Sequence, residues 1–379
     1  MKLKEAIQAL EAHALAILSQ PNSNIRLLAV GTKDHRSLSE ATDFCITAYV
    51  PEKLTMSQLK TRNLVTFVKS VALTAGADAM GRIELDVVES GSDFAPRQSL
   101  SAPAAFRGAI GGPTPTIDTQ KLFNQLRCGI GITNPSGGYP KQLSVGTLGF
   151  FVRDGNQQPY LVSNSHVIGR SGAAAAGEPV VQPGTLDLTA NELQMMNTLA
   201  KLRNRLEIAR VRAVVPFQLV SGTQIPVNRV DAAMAALNDP GRGRGDIDRI
   251  CYGGVIRGVA EPYRTTSSGA LVGSTRVYKV GRTTGATEGN IVGIAGTGML
   301  TYPTGQAFFA GQLVIEGTPD NGGLFSDRGD SGSAILNDQH ELVGVLFAGS
   351  ERQTLANPIA DVMRELQATS GLTLRVVTG

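Results

Sequence analysis

Few cysteines, few aromatic rings and no long apolar run mark this sequence first. The three cysteines, Cys45, Cys128 and Cys251, are far apart and odd in number. They form neither a disulfide framework nor a CxxC metal pattern, and a reducing compartment suits them best. None has a visible partner for nucleophilic work, so Cys128 and Cys251 read as structural. No HExxH motif or close His/Cys cluster occurs, which argues against metal-assisted hydrolysis, and neither cofactor nor metal is expected. No segment approaches the run of about 18 apolar residues that a membrane helix needs, so no membrane partner is expected. The opening, MKLKEAIQALEAHALAILSQ, is interrupted by Glu5, Glu11 and His13 and lacks a small-residue cleavage site. It reads as an amphipathic helix and not a secretion signal, and a cytoplasmic protein is expected. A charge excess is missing too. The 35 Lys and Arg against 32 Asp and Glu leave +3, too little to call for a nucleic-acid partner. The densest basic stretch, Lys201 to Arg212, is spaced like the solvated face of a helix.

Glycine is what the chain has in quantity. Its 44 residues, with tryptophan absent and aromatics at 5%, predict many tight turns and hence many short strands. The length suggests two domains. Residues 1–92 read as a small α+β unit. In it a helix carries Leu3, Ile7, Leu10, Ala14 and Ile17 at helical spacing, strand-like runs span Ile25 to Val30 and Phe44 to Val50, a helical stretch covers Leu64 to Leu73, and a strand covers Arg82 to Val88. Residues 93–120 are rich in Ser, Gly, Pro and Ala and read as a linker, with part of it open to being tied down on a surface. Residues 121–379 form the second domain. Strand candidates there are Val145 to Val152, Tyr160 to Ser163, Ile208 to Pro216, Val277 to Val280, Asn290 to Ile294, Gln312 to Glu316, Ser333 to Leu336 and Glu341 to Phe347. So many short runs predict a mainly β sandwich or barrel. Leu188 to Leu206 has the composition of a helical insertion. A last helix starts near Asn357 as cap and Pro358 in its first turn, with Gly371 past its end.

Three segments carry chemistry. In GDSGS, Gly329 to Ser333, small residues flank Ser331. They let the backbone turn sharply enough for the N–H groups of Gly329 and Ser331 to face one spot, where an oxyanion would be stabilised. Turn residues between strands would look the same. A serine hydroxyl also needs a base to remove its proton. Of the four histidines, only His166, in YLVSNSHVIG, directly follows a buried-looking strand; His13 sits in a helix, His35 in a polar loop and His340 in a turn. In NRVDAAMAAL, Asp231 is a lone carboxylate in an apolar run, and a buried charge needs a partner. The N–H at Nδ1 of a histidine would satisfy it and leave Nε2 free as base; a helix N-cap is the plainer alternative. Asp246 and Asp248 are the fallback carboxylates.

The order His, Asp, Ser and the segments TLGFFV…YLVSNSHV, VDAAMA and FSDRGDSGSAIL…LVGVLFAG resemble the signature regions of the trypsin-like, chymotrypsin-fold serine peptidases over roughly residues 125–379. VGRTTGATEGNIVGI, Gln182 to Gly184 and FAGS…ANPIADV are similar to a cytosolic bacterial group of such peptidases and to the plant narrow-leaf-type proteases. Members of the bacterial group often carry a small α+β domain ahead of the peptidase, and residues 25–88 are similar to it. The resemblance implies two antiparallel β-barrels. It also implies a serine endopeptidase acting on protein or peptide substrates, with His166 as general base and acid, Asp231 as orienter and Ser331 as nucleophile. Gly329 and Ser331 would form the oxyanion hole, and Phe347, Ala348 and Gly349 would line the cleft. Phe325 stands at the specificity pocket, six residues before Ser331, where trypsin carries an acidic residue; that puts cleavage after Lys or Arg in doubt, although Asp327 and Glu351 lie close in sequence.

In digestive relatives a new N-terminal amine pairs with the Asp beside the catalytic Ser, here Asp330. The stretch Arg127 to Ile132 has no clear activation pattern, so the expectation is gating by the shape of the Gly329–Ser331 loop and not by removal of a propeptide. Arg328, another subunit or a bound partner would supply the cation for Asp330. Two other readings stay open: a catalytically silent peptidase-fold binding module, and a serine hydrolase of small esters, against which the missing G-x-S-x-G elbow speaks. A homo-oligomer or a regulatory protein partner is also open.

Overall fold

The structure, a computed structural model, describes residues 2–19, 24–33, 41–55, 85–97, 119–137, 143–189, 206–243 and 275–378, with isolated positions and short strand pieces between them. The expected helix at Leu64 to Leu73, most of the linker and of the 188–206 insertion, and Asp246, Asp248 and Cys251 lie outside the described residues.

Helix α1 (Leu3–Leu18) precedes strands β1 (Leu27–Gly31), β2 (Cys45–Val50), β3 (Leu85–Glu89) and the two-residue β4 (Ala95–Pro96). Then come β5 (Gly131–Ile132), β6 (Gly146–Thr147), β7 (Phe150–Arg153), β8 (Pro159–Ser163), the one-turn helix α2 (Ser165–Ile168), β9 (Pro179–Val181), β10 (Glu207–Val214), β11 (Val227–Asn228) and β12 (Ala233–Leu237). Short pieces follow: β13 (Arg249–Ile250), β14 (Gly254–Val255), β15 (Gly258–Val259), β16 (Arg264–Thr265) and β17 (Leu271–Val272). The chain ends with β18 (Arg276–Gly281), β19 (Gly285–Tyr302), β20 (Gly305–Gly317), β21 (Ala334–Asn337), β22 (Glu341–Gly349), β23 (Gln353–Pro358), helix α3 (Ile359–Ser370) and β24 (Arg375–Val376). The molecule is mainly β, and among the described residues no helix is long and apolar enough to cross a membrane.

Two sheets organise it. One has six strands in the order β24-β7-β8-β12-β10-β9. Its apolar runs bury Phe150, Phe151, Leu161, Val162, Met234 and Ala235, and Ile359, Val362 and Leu366 of α3 pack into the same cluster. Full burial of such a side chain is worth about 1.5–3 kcal/mol, so these runs hold the sheet. In the other sheet, β18 pairs with β19, β19 with β20, β20 with β23, β23 with β22, β22 with β21, and β21 again with β18. Six strands thus form a closed cycle of pairings, which leaves few edges open. Both β19 and β20 run longer than the sequence suggests, because register shifts between Ile291 and Gly298 let one strand bend through several partners.

The N-terminal strands extend this second sheet: β1 pairs with β19, β2 with β1, and β3 runs parallel to β2. Helix α1 covers them with Leu3, Ala6, Leu10 and Ala14, all buried. At the far end, α3 begins at Ile359 with Pro358 before it, and no side chain among the described residues caps it. Asn357 is not the expected cap. It is fully buried, donates to Gln312 Oε1 (2.6 Å) and accepts from the Asp231 N–H (3.0 Å).

Candidate active site

His166 and Asp231 both hang from the six-stranded sheet. Strand β8 delivers the chain to Asn164, and the single turn of α2 then presents His166. Asp231 stands two residues before β12, which is hydrogen-bonded to β8. Adjacent strands therefore bring the two side chains together although 65 residues separate them. Asp231 Oδ2 lies 2.6 Å from His166 Nδ1, and Oδ1 accepts the His166 backbone N–H at 3.1 Å. Asn164 Nδ2 donates to the Asp231 carbonyl (2.7 Å), locking the strand end to the turn. Asp231 precedes a strand, so the N-cap alternative does not apply. Nε2 of His166 is buried with no hydrogen-bond partner among the described residues.

Nothing in the sequence around Tyr302 points to the site. Its hydroxyl donates to Asp231 Oδ2 at 2.7 Å, and its ring meets the His166 ring edge-on at 6.1 Å. Burial and the Asp231 charge push its hydroxyl well above the ordinary tyrosine value, so it stays a donor.

Ser331 belongs to the loop leading into β21 of the second sheet. Two glycines shape that loop for steric reasons. Gly329 has φ +107°, where a Cβ would collide with Thr283 Oγ1, and Gly332 has φ +98°, where one would strike the Thr147 carbonyl. The loop is tied from both sides: Thr147 Oγ1 donates to the Gly329 carbonyl (2.8 Å), Thr147 N–H to the Ser331 carbonyl (2.7 Å), and Gly332 N–H to the Leu346 carbonyl (2.8 Å). Ser331 and His166 are not hydrogen-bonded, since Ser331 Oγ donates instead to the Phe347 carbonyl at 3.2 Å. The N–H groups of Gly329 and Ser331 converge on one oxygen, the carbonyl of Arg97, at 3.4 Å for Ser331 and closer for Gly329.

Asp330 finds its cation in Lys279, not in Arg328. Lys279 Nζ is 3.3 Å from Asp330 Oδ2, both side chains are fully buried, and β18 carries the lysine. The N–H groups of Thr283 (2.8 Å), Thr284 (3.2 Å) and Asp327 (2.9 Å) and the Thr284 hydroxyl (2.7 Å) also donate to the carboxylate. Burial works to raise its pKa, but Lys279 and these donors outweigh burial and hold the group below the ordinary carboxylate range.

Of the cleft residues named from the sequence, Phe347, Ala348 and Gly349 lie at the end of β22, where Ala348 and Gly349 pair with β4. Phe325 is buried in the core; its ring lies against Gly289, and its carbonyl accepts the Thr287 hydroxyl at 2.6 Å.

No family model and no curated protein matches the chain. Among solved structures it is similar to Thermobifida fusca Protease A at 17% identity, covering 67% of this chain and 100% of that one, with a TM-score of 0.37. A glutamic acid specific serine protease that utilizes a novel histidine triad in substrate binding is similar at 16% identity, with coverages of 66% and 100% and a TM-score of 0.38. The active form of the Rv3671c protease from M. tuberculosis follows at 15%, with coverages of 64% and 79% and a TM-score of 0.34.

Proposed function

We propose that the chain is a serine endopeptidase with two antiparallel β-barrels of the chymotrypsin type, hydrolysing peptide bonds in protein or peptide substrates through an acyl-enzyme on Ser331. One observation carries this reading: two backbone N–H groups, of Gly329 and Ser331, aim at a single carbonyl oxygen beside a serine hydroxyl. Negative charge developing at that spot would meet donors already in place, and such donors lower the barrier to acyl transfer more than most other groups do. His166 acts as base, taking the Ser331 proton at Nε2, and later returns it to the leaving amine. Asp231 fixes the tautomer through Nδ1 and stabilises the imidazolium. The closed strand cycle of the second sheet supports the barrel reading. The same reading divides the chain into residues 1–92, 93–120 and 121–379.

The silent binding module is favoured by one feature, the absent bond between Ser331 and His166. A rotation of the Ser331 hydroxyl between staggered rotamers would redirect it from the Phe347 carbonyl, so the distinction is experimental. A fluorophosphonate should label Ser331 in the full-length protein, and Ser331→Ala should lose both labelling and at least about 10⁴-fold of peptide hydrolysis. Undiminished proteolysis by Ser331→Ala would overturn the assignment.

A further inference from the structure

The oxygen held by Gly329 and Ser331 belongs to the chain itself, and the residues before it are arranged as a bound peptide would be. Strand β4 lies antiparallel to the end of β22, with Pro96 opposite Ala348 and Ala95 opposite Gly349. The Arg97 N–H donates to the Phe347 carbonyl at 3.2 Å, the same carbonyl that accepts Ser331 Oγ. Upstream, Phe94 is fully buried, its ring is edge-on to Tyr49 at 6.3 Å, and its carbonyl accepts the Thr301 N–H at 3.0 Å. Edge pairing alone would explain the strand contacts. It would not explain why the next carbonyl enters the donor pair beside Ser331.

The side chain follows the same logic. Arg97 is 12% exposed, with Nη1 3.7 Å from Asp327 Oδ1. A Cβ at Gly349 would come within 2.6 Å of its Nε, so the glycine leaves room for the guanidinium to enter. Nε itself is buried without a hydrogen-bond partner among the described residues, a cost that the loop would avoid by turning the residue outward. The space between Gly349 and Asp327 thus accommodates a guanidinium, while Phe325, expected at the specificity pocket, lies in the core.

We propose that the segment Phe94–Arg97 is a substrate of the chain's own site: Ser331 cuts the bond between Arg97 and Gln98, and arginine is the side chain the pocket selects. The proposal rests on the hydrolase reading above. The Ser331 hydroxyl turns from the Phe347 carbonyl toward His166 Nε2, gives up its proton there and attacks the Arg97 carbonyl carbon. The oxyanion sits on the N–H groups of Gly329 and Ser331. Collapse breaks the C–N bond, and the Gln98 nitrogen leaves with the proton from His166. Water then hydrolyses the ester, returning the proton to Ser331 by way of His166, so one water is consumed and Arg97 becomes a carboxylate. Cleavage is thus expected despite the absence of an activation pattern near Arg127, and at a different place.

The test is a time course of intact mass and N-terminal sequence on full-length protein at several concentrations. Fragments 1–97 and 98–379 should appear at a rate independent of concentration, and Ser331→Ala should stay whole. Arg97→Asp should slow the cut by about 10²-fold or more, and that chain should hydrolyse arginyl over glutamyl peptides by a similar factor in kcat/KM. If the fluorophosphonate labels Ser331 and added peptides turn over while the Arg97–Gln98 bond stays intact, or if Arg97→Asp favours glutamyl peptides, this inference falls and the peptidase reading stands. If neither wild type nor Arg97→Asp is labelled or active, the peptidase reading fails and the inference with it.

Discussion

Asp231 and Asp330 are both fully buried, one beside each sheet, yet their charges are met in different ways. Asp231 receives three donors, the N–H and Nδ1 of His166 and the hydroxyl of Tyr302, none of them a fixed cation. Asp330 faces the Lys279 ammonium as well as four further donors. An uncancelled carboxylate next to an imidazole can stabilise an imidazolium when a proton arrives. A cancelled one cannot, and its contribution is to hold a loop in shape. In the proposed mechanism the first is therefore electrostatic and the second architectural, with Lys279 as the charge that holds the Asp330 loop.

Asp231→Asn separates the two roles most strongly. It should keep the fold and lower kcat by about 10⁴-fold, because the amide favours the wrong imidazole tautomer. Thermal unfolding and peptide hydrolysis on the same sample would check both halves, and an active Asp231→Asn would move the role elsewhere. Lys279→Met should do the reverse in kind. It leaves the Asp330 charge uncompensated, so unfolding free energy should drop by about 3–5 kcal/mol, and activity should fall through loop disorder. Adding Asp330→Asn should recover part of that stability, and a denaturant-based double-mutant cycle would measure the coupling.

Tyr302→Phe removes a single donor from Asp231. A loss of about 1.5–3 kcal/mol in stability is expected from a hydrogen bond to a charged group, with hydrolysis reduced far less than by Asp231→Asn. The smallest effect is in the pH profile. The folded pKa of Asp330 lies below its ordinary value, so its stabilising contribution is complete above that value of about 3.9 and is lost as pH falls through the lowered folded pKa. Acid melting curves should become shallower in Asp330→Asn, and unchanged curves would mean that the carboxylate is not the acid-sensitive group.

The candidate catalytic residues could be read from the sequence because each is marked by its own neighbours: small residues around Ser331, a buried strand before His166, an apolar run around Asp231. Lys279 carried the same mark, a lone charge in VYKV between buried residues. A lone ammonium between buried residues needs a buried partner for the same reason that the Asp231 carboxylate does. Asn357 misled for the opposite reason. Its sequence context fits a helix cap, but two tertiary partners claim the side chain.

Local patterns suffice to predict a mainly β chain and to pick out one histidine and one serine as candidates, because burial and turn chemistry leave traces within a few residues. The Tyr302 hydroxyl on Asp231 and the Arg97 carbonyl between Gly329 and Ser331 needed the folded arrangement to become visible. Each contact joins residues from distant parts of the chain, and an ordinary tyrosine at a strand end or an arginine in a Ser/Pro-rich stretch has no local feature that names its partner. Which donor meets which acceptor depends on how two sheets and an N-terminal strand are brought together, and that is set by the packing of many apolar residues at once.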